Sequence, residues 1–178
     1  MTASVAILNA LNQCYGSASS KAFLAAVAEG EGGTTFNILF GGSMWTGSMA
    51  AFPPWPGVTL ARGSMTHAAG AFQFEPASYA AIAHVSGRAG FEPQDQIQNG
   101  WDLADEVFSA KTSAMTLHAA LEAAGNDLLM IPAYLIKTWP GGCDSGFPKR
   151  FIGNLPLVTT TTSMTVSSVL LAGTAVIP

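Results

Sequence analysis

Apolar residues recur every three to four positions along much of the chain, the spacing of one face of an α-helix. Proline stands at the start of two such stretches, at Pro76 and Pro93, where its missing N–H is tolerated. Ser19 or Ser20 is the expected N-cap of the second stretch. Six helices are predicted, over residues 4–13, 20–31, 77–87, 93–108, 112–126 and 127–139. The pattern therefore indicates a mainly helical protein.

Strand signals fall in other parts of the chain. Residues 34–47 are typical of two short strands about a Gly-Gly turn, and Val58–Leu60 is a further candidate strand in a proline-rich loop. Residues 154–178 are rich in Val, Thr and Ile and carry no charged side chain, which favours β-structure. Because uncharged β-prone chain aggregates unless it is paired, this segment is predicted to dock on its own subunit or on another protein.

Charged side chains are scarce. Lys, Arg, Asp and Glu make up 10% of the 178 residues, against about 25% in a typical soluble protein. The net charge is −4 and Lys and Arg never form a run, so we expect no nucleic-acid partner. The first residues lack the basic region of a secretory signal. No unbroken apolar stretch reaches the roughly 18 residues that a membrane span needs.

The cysteines and histidines do not indicate a metal site. Cys14 and Cys143 lie far apart, and two unpaired thiols are favoured over a disulfide because no secretory signal is present. The histidines are His67, His84 and His118, and neither they nor the cysteines have the spacing of zinc ligands. We therefore expect neither a metal nor a cofactor.

Two glutamates, Glu29 and Glu31, stand at the end of the predicted helix 20–31. At helical spacing, Glu31 continues the apolar stripe of Leu24, Val27 and Ala28. Apolar surroundings and the negative end of the helix dipole are both expected to raise the pKa of Glu31. A carboxyl that stays protonated near neutral pH can act as a general acid. The competing interpretation is an ordinary solvated glutamate at a helix end.

The residues around Glu31 resemble the opening of the phage lambda-type lysozymes, enzymes of the lysozyme-like superfamily that cleave peptidoglycan. Lys21-Ala22-Phe23-Leu24 matches that family's K-A-F-L without a gap, and Gly30-Glu31-Gly32 stands where the family has Ser-Glu-Gly with its catalytic glutamate. Phe36, Ile38, Gly41 and Gly42 match the aromatic-x-x-Ile-x-Gly-Gly block that follows, with minor slippage. The resemblance therefore implies that Glu31 is the catalytic residue.

A second block, residues 66–74, resembles the family's Gly-Ala-Gly-Arg-Tyr-Gln block, in which a Gly and a Gln line the substrate cleft. Gly70 and Gln73 match it, and Phe72 replaces the Tyr. The resemblance extends over roughly residues 20–110. It departs where Phe52-Pro53-Pro54-Trp55 replaces the family's Asp-His-Pro loop, and residues 154–178 have no counterpart.

Fold and domain organisation follow from the pattern and the resemblance together. We predict an α+β, lysozyme-like fold in which a mainly helical lobe and a small antiparallel sheet from residues 36–60 flank a cleft. Residues 1–153 would form the catalytic domain, and residues 154–178 an uncharged β-prone tail.

The activity that the resemblance implies is lytic transglycosylation. Glu31 alone would serve as acid and then base on the MurNAc-GlcNAc β-1,4 bond, leaving 1,6-anhydro-MurNAc ends. Candidate substrate contacts are Gln73, Gly70, Phe72, Thr66, Asn37 and Trp55. For Phe72, core packing is the favoured interpretation, and Trp45 is a further candidate for stacking on a sugar. A hydrolase that uses Glu75 or Asp95 as a second carboxylate stays open, as does a non-catalytic glycan-binding or structural module.

The expected partner is a peptidoglycan glycan strand, with no nucleic acid and no membrane span. The resemblance implies a phage or prophage origin. Low charge and the tail at residues 154–178 suggest attachment to a virion or tail-like assembly. We expect the protein to be made in the bacterial cytoplasm without a signal peptide and to act on the cell wall.

Overall fold

The computed structural model describes residues 3–14, 16–111, 115–124, 139 and 143–159. Within these ranges the elements are, in chain order, α1 Val5–Gln13, α2 Ala18–Gly30, β1 Val58–Thr59, β2 Met65–Thr66, α3 Pro76–Ser86, α4 Pro93–Lys111, α5 Leu117–Ala124, α6 Phe147–Asn154 and a 3-10 turn at Leu155–Leu157. The described chain is thus mainly helical with one small antiparallel sheet, which confirms the α+β fold class.

Helix α2 forms the centre of the core, and α1, α4, α5 and α6 pack around it. Every residue from Lys21 to Ala28 is buried, because small side chains let neighbouring helices approach on all sides. The helix begins two residues earlier than the sequence indicated. Its N-cap is Ser17, whose hydroxyl accepts a hydrogen bond from the Ser20 N–H at 3.1 Å, so the prediction of Ser19 or Ser20 as the cap is wrong.

Aromatic side chains join the middle of the chain to the helices. Phe74 lies edge-on to Tyr79 of α3, with ring centroids 5.0 Å apart, and Tyr79 lies edge-on to Phe91 at 4.9 Å. Tyr79 and Phe91 are buried, as is Phe74. These contacts fix the loop before α3 against the segment that leads into α4.

The sheet is smaller than the sequence indicated and lies further along the chain. β1 and β2 pair antiparallel, with Val58 opposite Thr66 and Thr59 opposite Met65. The strands expected in residues 34–47 are reduced to isolated bridges, Ile38 with Met44 and Leu39 with Ala69, around a turn in which Gly41 and Gly42 have positive φ. Gly41, Gly42 and Gly47 interrupt residues 34–47, and glycine weakens a strand interior.

The predicted helices at α1, α3 and α4 are confirmed, and the one expected from residue 112 begins at Leu117, where Asp105 Oδ1 accepts the Leu117 N–H at 3.0 Å. Residues 127–138 lie outside the described ranges. Helix α6 was not anticipated, because Pro148 and Gly153 mask its helical spacing. None of the helices in the described ranges has the apolar length to cross a membrane.

The first residues of the segment predicted as a β-prone tail are helical and not extended. Asn154 ends α6, and Leu155–Leu157 form the 3-10 turn, so the strand prediction is wrong for these residues. They pack on the helical core: Asn12 of α1 donates to Leu157 O at 3.2 Å and accepts from Thr159 N–H at 2.8 Å. Residues 160–178 of the tail lie outside the described ranges.

Candidate active site

Glu31 is the C-cap of α2 and is partly exposed. Its N–H donates to Val27 O at 2.9 Å. The chain then reverses: Gly32 takes the left-handed φ of 72° and donates to Glu29 O at 3.3 Å, and the Gly33 N–H donates to Ala28 O at 2.8 Å. This is the Schellman pattern of helix termination, in which glycine is favoured at the left-handed position. The Gly-Gly pair therefore ends the helix immediately after the carboxylate.

Glu29 has a structural partner. Its Oε2 accepts from Asn154 Nδ2 at 3.1 Å, and Asn154 Oδ1 accepts the Ala3 N–H at 3.0 Å. Asn154 is fully buried, so Glu29 helps to fasten α6 and the N-terminal segment to α2. Glu29 therefore has a role in packing.

Gly33 brings the end of α2 against residues 66–75, which we name the Gln73 block. A β-carbon on residue 33 would lie only 2.7 Å from the carbonyl carbon of Ala71 and would overlap the carbonyl oxygen. Only glycine permits this approach. The two segments that the sequence resemblance singled out, around Glu31 and around Gln73, are thus in direct backbone contact.

Gln73 lies at the tip of a tight turn within this block. Its φ is 48°, a left-handed conformation that non-glycine residues rarely adopt. Both its N–H and its Nε2 donate to Gly70 O, at 3.1 Å and 2.9 Å, and the turn is closed by paired hydrogen bonds between Ala69 and Phe74. Gln73 is partly exposed. Strained backbone of this kind is concentrated at functional sites, which supports Gln73 as a binding residue.

Gln96 of α4 connects three segments around the candidate site, and the sequence did not identify it. It is fully buried, its Nε2 donates to Phe36 O at 2.8 Å and to Phe91 O at 2.7 Å, and its Oε1 accepts the Ala71 N–H at 3.0 Å. One amide therefore links the chain after Glu31, the Gln73 block and the start of α4. In the sequence Gln96 is one of several polar residues in the first turn of a predicted helix, with no signal for burial.

The other candidates divide between core and surface. Gly70 has φ 79° and packs against Gln96, where a β-carbon would come within 2.9 Å of Cδ. Phe72 is fully buried and contacts Phe74 and Trp139, so the predicted sugar contact is replaced by core packing. The buried Thr66 donates its hydroxyl to Glu75.

Asn37 is occupied in the loop, because its Nδ2 donates to Trp45 O at 2.9 Å and its Oδ1 accepts from the Thr35 hydroxyl at 3.0 Å. Trp55 donates Nε1 to His67 O at 2.9 Å. The rings of Trp45 and Trp55 are partly exposed, and both remain candidates for stacking on a sugar.

Neither acid that was considered as a second carboxylate is shown beside Glu31. Glu75 accepts from the Thr66 hydroxyl and, through Oε2, from the His67 N–H at 3.2 Å. Asp95, in the first turn of α4, lies against Gly90 and lines a surface cavity with Gln13 of α1.

Cys143 is buried. Burial raises the pKa of its thiol to about 12, and Glu31 and Asp144 add to that rise, while the backbone of Trp139 and the Arg150 guanidinium oppose it. Cys14 and Cys143 are both thiols. Within the ranges that the structure covers, no three His, Cys, Asp or Glu side chains are grouped as a metal would need.

A cavity of about 390 Å³ lies at the opposite end of α2, with Leu24 and Trp101 in its wall. Its charged side chains already bind protein groups, since Lys21 Nζ donates to Thr159 O at 2.7 Å and Arg88 pairs with Asp102. It contains no group that points to chemistry on a sugar.

No protein-family model matches the chain, and no curated protein sequence matches it. The arrangement of a helical lobe and a small sheet, with Glu31 at the end of the central helix, nevertheless defines the lysozyme-like fold. Two solved structures share it: lysozyme from bacteriophage lambda, with a TM-score of 0.58, and bacteriophage lambda lysozyme complexed with a chitohexasaccharide, with a TM-score of 0.59. Each is 19% identical and covers 84% of this chain and 100% of its own. The chain thus has a lambda-type lysozyme-like fold, as the sequence resemblance predicted.

Proposed function

We propose that this protein is a lysozyme-like enzyme that cleaves peptidoglycan, with Glu31 as its acid. The observation that carries the proposal is the placement of Glu31, partly exposed at the end of a buried helix and joined to the Gln73 block through Gly33. The fold of bacteriophage lambda lysozyme, one structure of which contains a chitohexasaccharide, supports a glycan substrate.

We infer lytic transglycosylation as the reaction. Glu31 gives its proton to the glycosidic oxygen as the bond from that oxygen to C1 of MurNAc breaks. The 6-hydroxyl of the same MurNAc then forms the new bond to C1, and its proton passes to the Glu31 carboxylate, which restores the acid. The product is a 1,6-anhydro end. This path activates no water and so needs no second carboxylate, which agrees with the structural roles of Glu75.

Substrate contacts are proposed for the side chains with exposed surface near this region. Gln73 would bind an N-acetyl group, and Trp55 and Trp45 would stack on sugar faces. Gly70, Thr66 and Asn37 would contribute by shaping the loops that carry them, since their own contacts are within the protein.

The decisive experiment compares Glu31→Gln with Glu29→Gln on purified peptidoglycan. Both variants lose one carboxylate at the same helix end, and a glutamine at 29 can still accept from Asn154. Loss of activity in Glu31→Gln alone is expected, by a factor of about 10³ or more since an acid essential to bond cleavage is removed. Full activity in Glu31→Gln would exclude the proposal.

Mass spectrometry of the wild-type digest separates the candidate reactions. Anhydro-muropeptides are lighter by one water than the products of hydrolysis, so reducing ends instead of anhydro ends would indicate a muramidase. Binding of chitohexaose without any turnover of peptidoglycan would indicate a glycan-binding module.

We further propose that the protein acts on the cell wall while carried on a phage-like particle. The support is compositional: the chain has few charges to steer it to a wall, and residues 154–178 are uncharged. Because residues 154–159 pack on α1 and α2, the docking segment would be residues 160–178. Light scattering after size-exclusion chromatography tests this, and a soluble monomer of the intact chain would argue against obligatory docking.

A further inference from the structure

A guanidinium group from α6 lies at the C-terminal end of α2. Arg150 Nε donates to Ala26 O at 3.1 Å. In an α-helix the carbonyl of one residue lies beside the N–H four residues later, so this oxygen is next to Gly30, the residue before Glu31. α2 has no basic residue of its own in its last turn. Arg150 therefore supplies a positive charge where the helix dipole is negative, in the last turns of the helix that Glu31 caps.

Asp144 partly balances this charge. Its Oδ1 accepts from Arg150 Nη2 at 2.8 Å and from the Gly146 N–H at 2.8 Å. The hydrogen bond from Arg150 is the main reason that the pKa of Asp144 lies below its usual value, with the Gly146 N–H second. The Asp144 side chain is 57% exposed and that of Arg150 only 15%, so water screens the acid more than the base.

Cys143 lies within electrostatic range of all three charges. Burial is the main cause of its raised pKa; the Arg150 guanidinium lowers that pKa, and Glu31 and Asp144 raise it. The sequence predicted that apolar surroundings and the helix dipole would both hold the proton on Glu31. The structure adds a cation that acts in the opposite direction and an anion that reduces its effect.

We propose that Arg150 and Asp144 are positioning residues that set the pH range in which Glu31 carries its proton. Arg150 favours the carboxylate, which must accept a proton in the second half of the proposed reaction, and Asp144 limits that effect so that Glu31 is still protonated in the first half. This inference rests on the proposed function.

Among the described residues, Lys149 on α6 is exposed, and the charged groups on the elements around this end have other contacts or positions. On α2 itself, Glu29 binds Asn154. In the Gln73 block, which packs against Gly33, Glu75 binds Thr66 and the backbone of His67. Lys21, Arg88 and Asp102 lie around the cavity at the opposite end of α2.

The test is the dependence of kcat/KM on pH for Arg150→Met and Asp144→Asn, with purified peptidoglycan as substrate. Activity that needs protonated Glu31 falls as pH rises. Removing the Arg150 charge should move this fall to higher pH, because the carboxylate loses a favourable neighbour. Removing the Asp144 charge should move it to lower pH, because Arg150 is no longer balanced. Shifts of about 0.5–1 pH unit are expected for a single charge several ångströms away at a partly exposed site.

Arg150→Lys is the matched control, since it keeps the charge and should leave the pH at which activity falls close to that of the wild type. A purely structural role for the pair would lower the melting temperature of the variants and the height of the profile without moving it in opposite directions. If Arg150→Met does not fold, the downward shift in Asp144→Asn and a ¹³C NMR titration of the Glu31 carboxyl in that variant still decide the question.

Failure of this inference is distinguishable from failure of the proposed function. An active Glu31→Gln variant would exclude both. An inactive Glu31→Gln variant, together with unshifted or parallel profiles in Arg150→Met and Asp144→Asn, would exclude only the role assigned to the pair.

Discussion

The backbone of Ala71 occupies the space in which a side chain on residue 33 would begin. A β-carbon on Gly33 would lie 2.7 Å from the Ala71 carbonyl carbon and 2.9 Å from its Cα. Gly32, one residue earlier, faces open space but has the left-handed φ of 72°. The two glycines therefore have different roles: Gly32 turns the chain after Glu31, and Gly33 lets it reach the Gln73 block.

We predict that Gly33→Ala lowers both stability and activity, while Gly32→Ala lowers stability only modestly. An alanine at 33 must displace the backbone of the Gln73 block. Overpacking of this kind lowers the free energy of unfolding by about 1–3 kcal/mol or more. An alanine at 32 bears only the left-handed strain, about 1 kcal/mol. Urea unfolding and peptidoglycan turnover measure both quantities. Equal stability losses in the two variants would show that the Ala71 contact can relax.

Gln96→Leu should be strongly destabilising. The substitution keeps roughly the same volume but leaves the N–H of Ala71 and the carbonyls of Phe36 and Phe91 without their present partner. Each unsatisfied buried group costs about 1–3 kcal/mol, so a loss of about 3 kcal/mol or more is expected.

The matched control is Gln94→Leu, two residues earlier on the same helix and exposed. Its free energy of unfolding should stay within about 0.5 kcal/mol of the wild type, as is usual for surface substitutions. A Gln96→Leu variant as stable as this control would mean that the three backbone groups find other partners.

The sequence could predict the position of Glu31 because its signals are local. Apolar spacing located α2, the Gly-Gly pair marked its end, and the order of the two matched blocks indicated the fold. The choice of Glu31 over Glu29 also came from local spacing, whereas the hydrogen bond between Glu29 and Asn154 could not be predicted. That bond joins residues 125 positions apart, which no local pattern reveals.

What the sequence could not predict depends on contacts between distant segments. Gln96 resembles any polar residue in the first turn of a helix, and its burial follows only from the approach of Phe36 and Ala71. α6 has a proline and a glycine within eight residues, so its helical spacing is short and obscured. The charge of Arg150 reaches α2 only because α6 packs along it.

Cys143 should make the protein less stable at alkaline pH. Its pKa is about 12 in the folded protein against 9.0 for an ordinary thiol, so the unfolded state loses its proton first and is favoured as pH rises above 9. Titration of Cys143 should therefore lower the free energy of unfolding at pH 10 by about 1.4 kcal/mol relative to pH 7. The stabilising effect is fully present below pH 9 and is lost as pH rises toward 12.

The measurement compares the free energy of unfolding at pH 7 and pH 10 for the wild type and for Cys143→Ala. Other groups that titrate in this range, including Tyr79 with its pKa of about 12, contribute equally to both proteins and cancel. The decrease between the two pH values should be smaller in Cys143→Ala. The same decrease in both proteins would contradict the burial of the thiol.

Gln73→Gly should separate stability from substrate binding. Glycine adopts φ 48° without the strain that glutamine bears, so the variant is expected to be as stable as the wild type or more stable by about 1 kcal/mol, even without the side-chain bond to Gly70 O. Chitohexaose binding should weaken about two- to tenfold if the amide binds an N-acetyl group, since a lost hydrogen bond is worth about 0.5–1.5 kcal/mol. Gln73→Ala, which loses the amide but keeps the strain, should bind equally weakly and be less stable than Gln73→Gly. Unchanged affinity in both variants, measured by calorimetry, would assign Gln73 to the turn alone and remove it from the binding site.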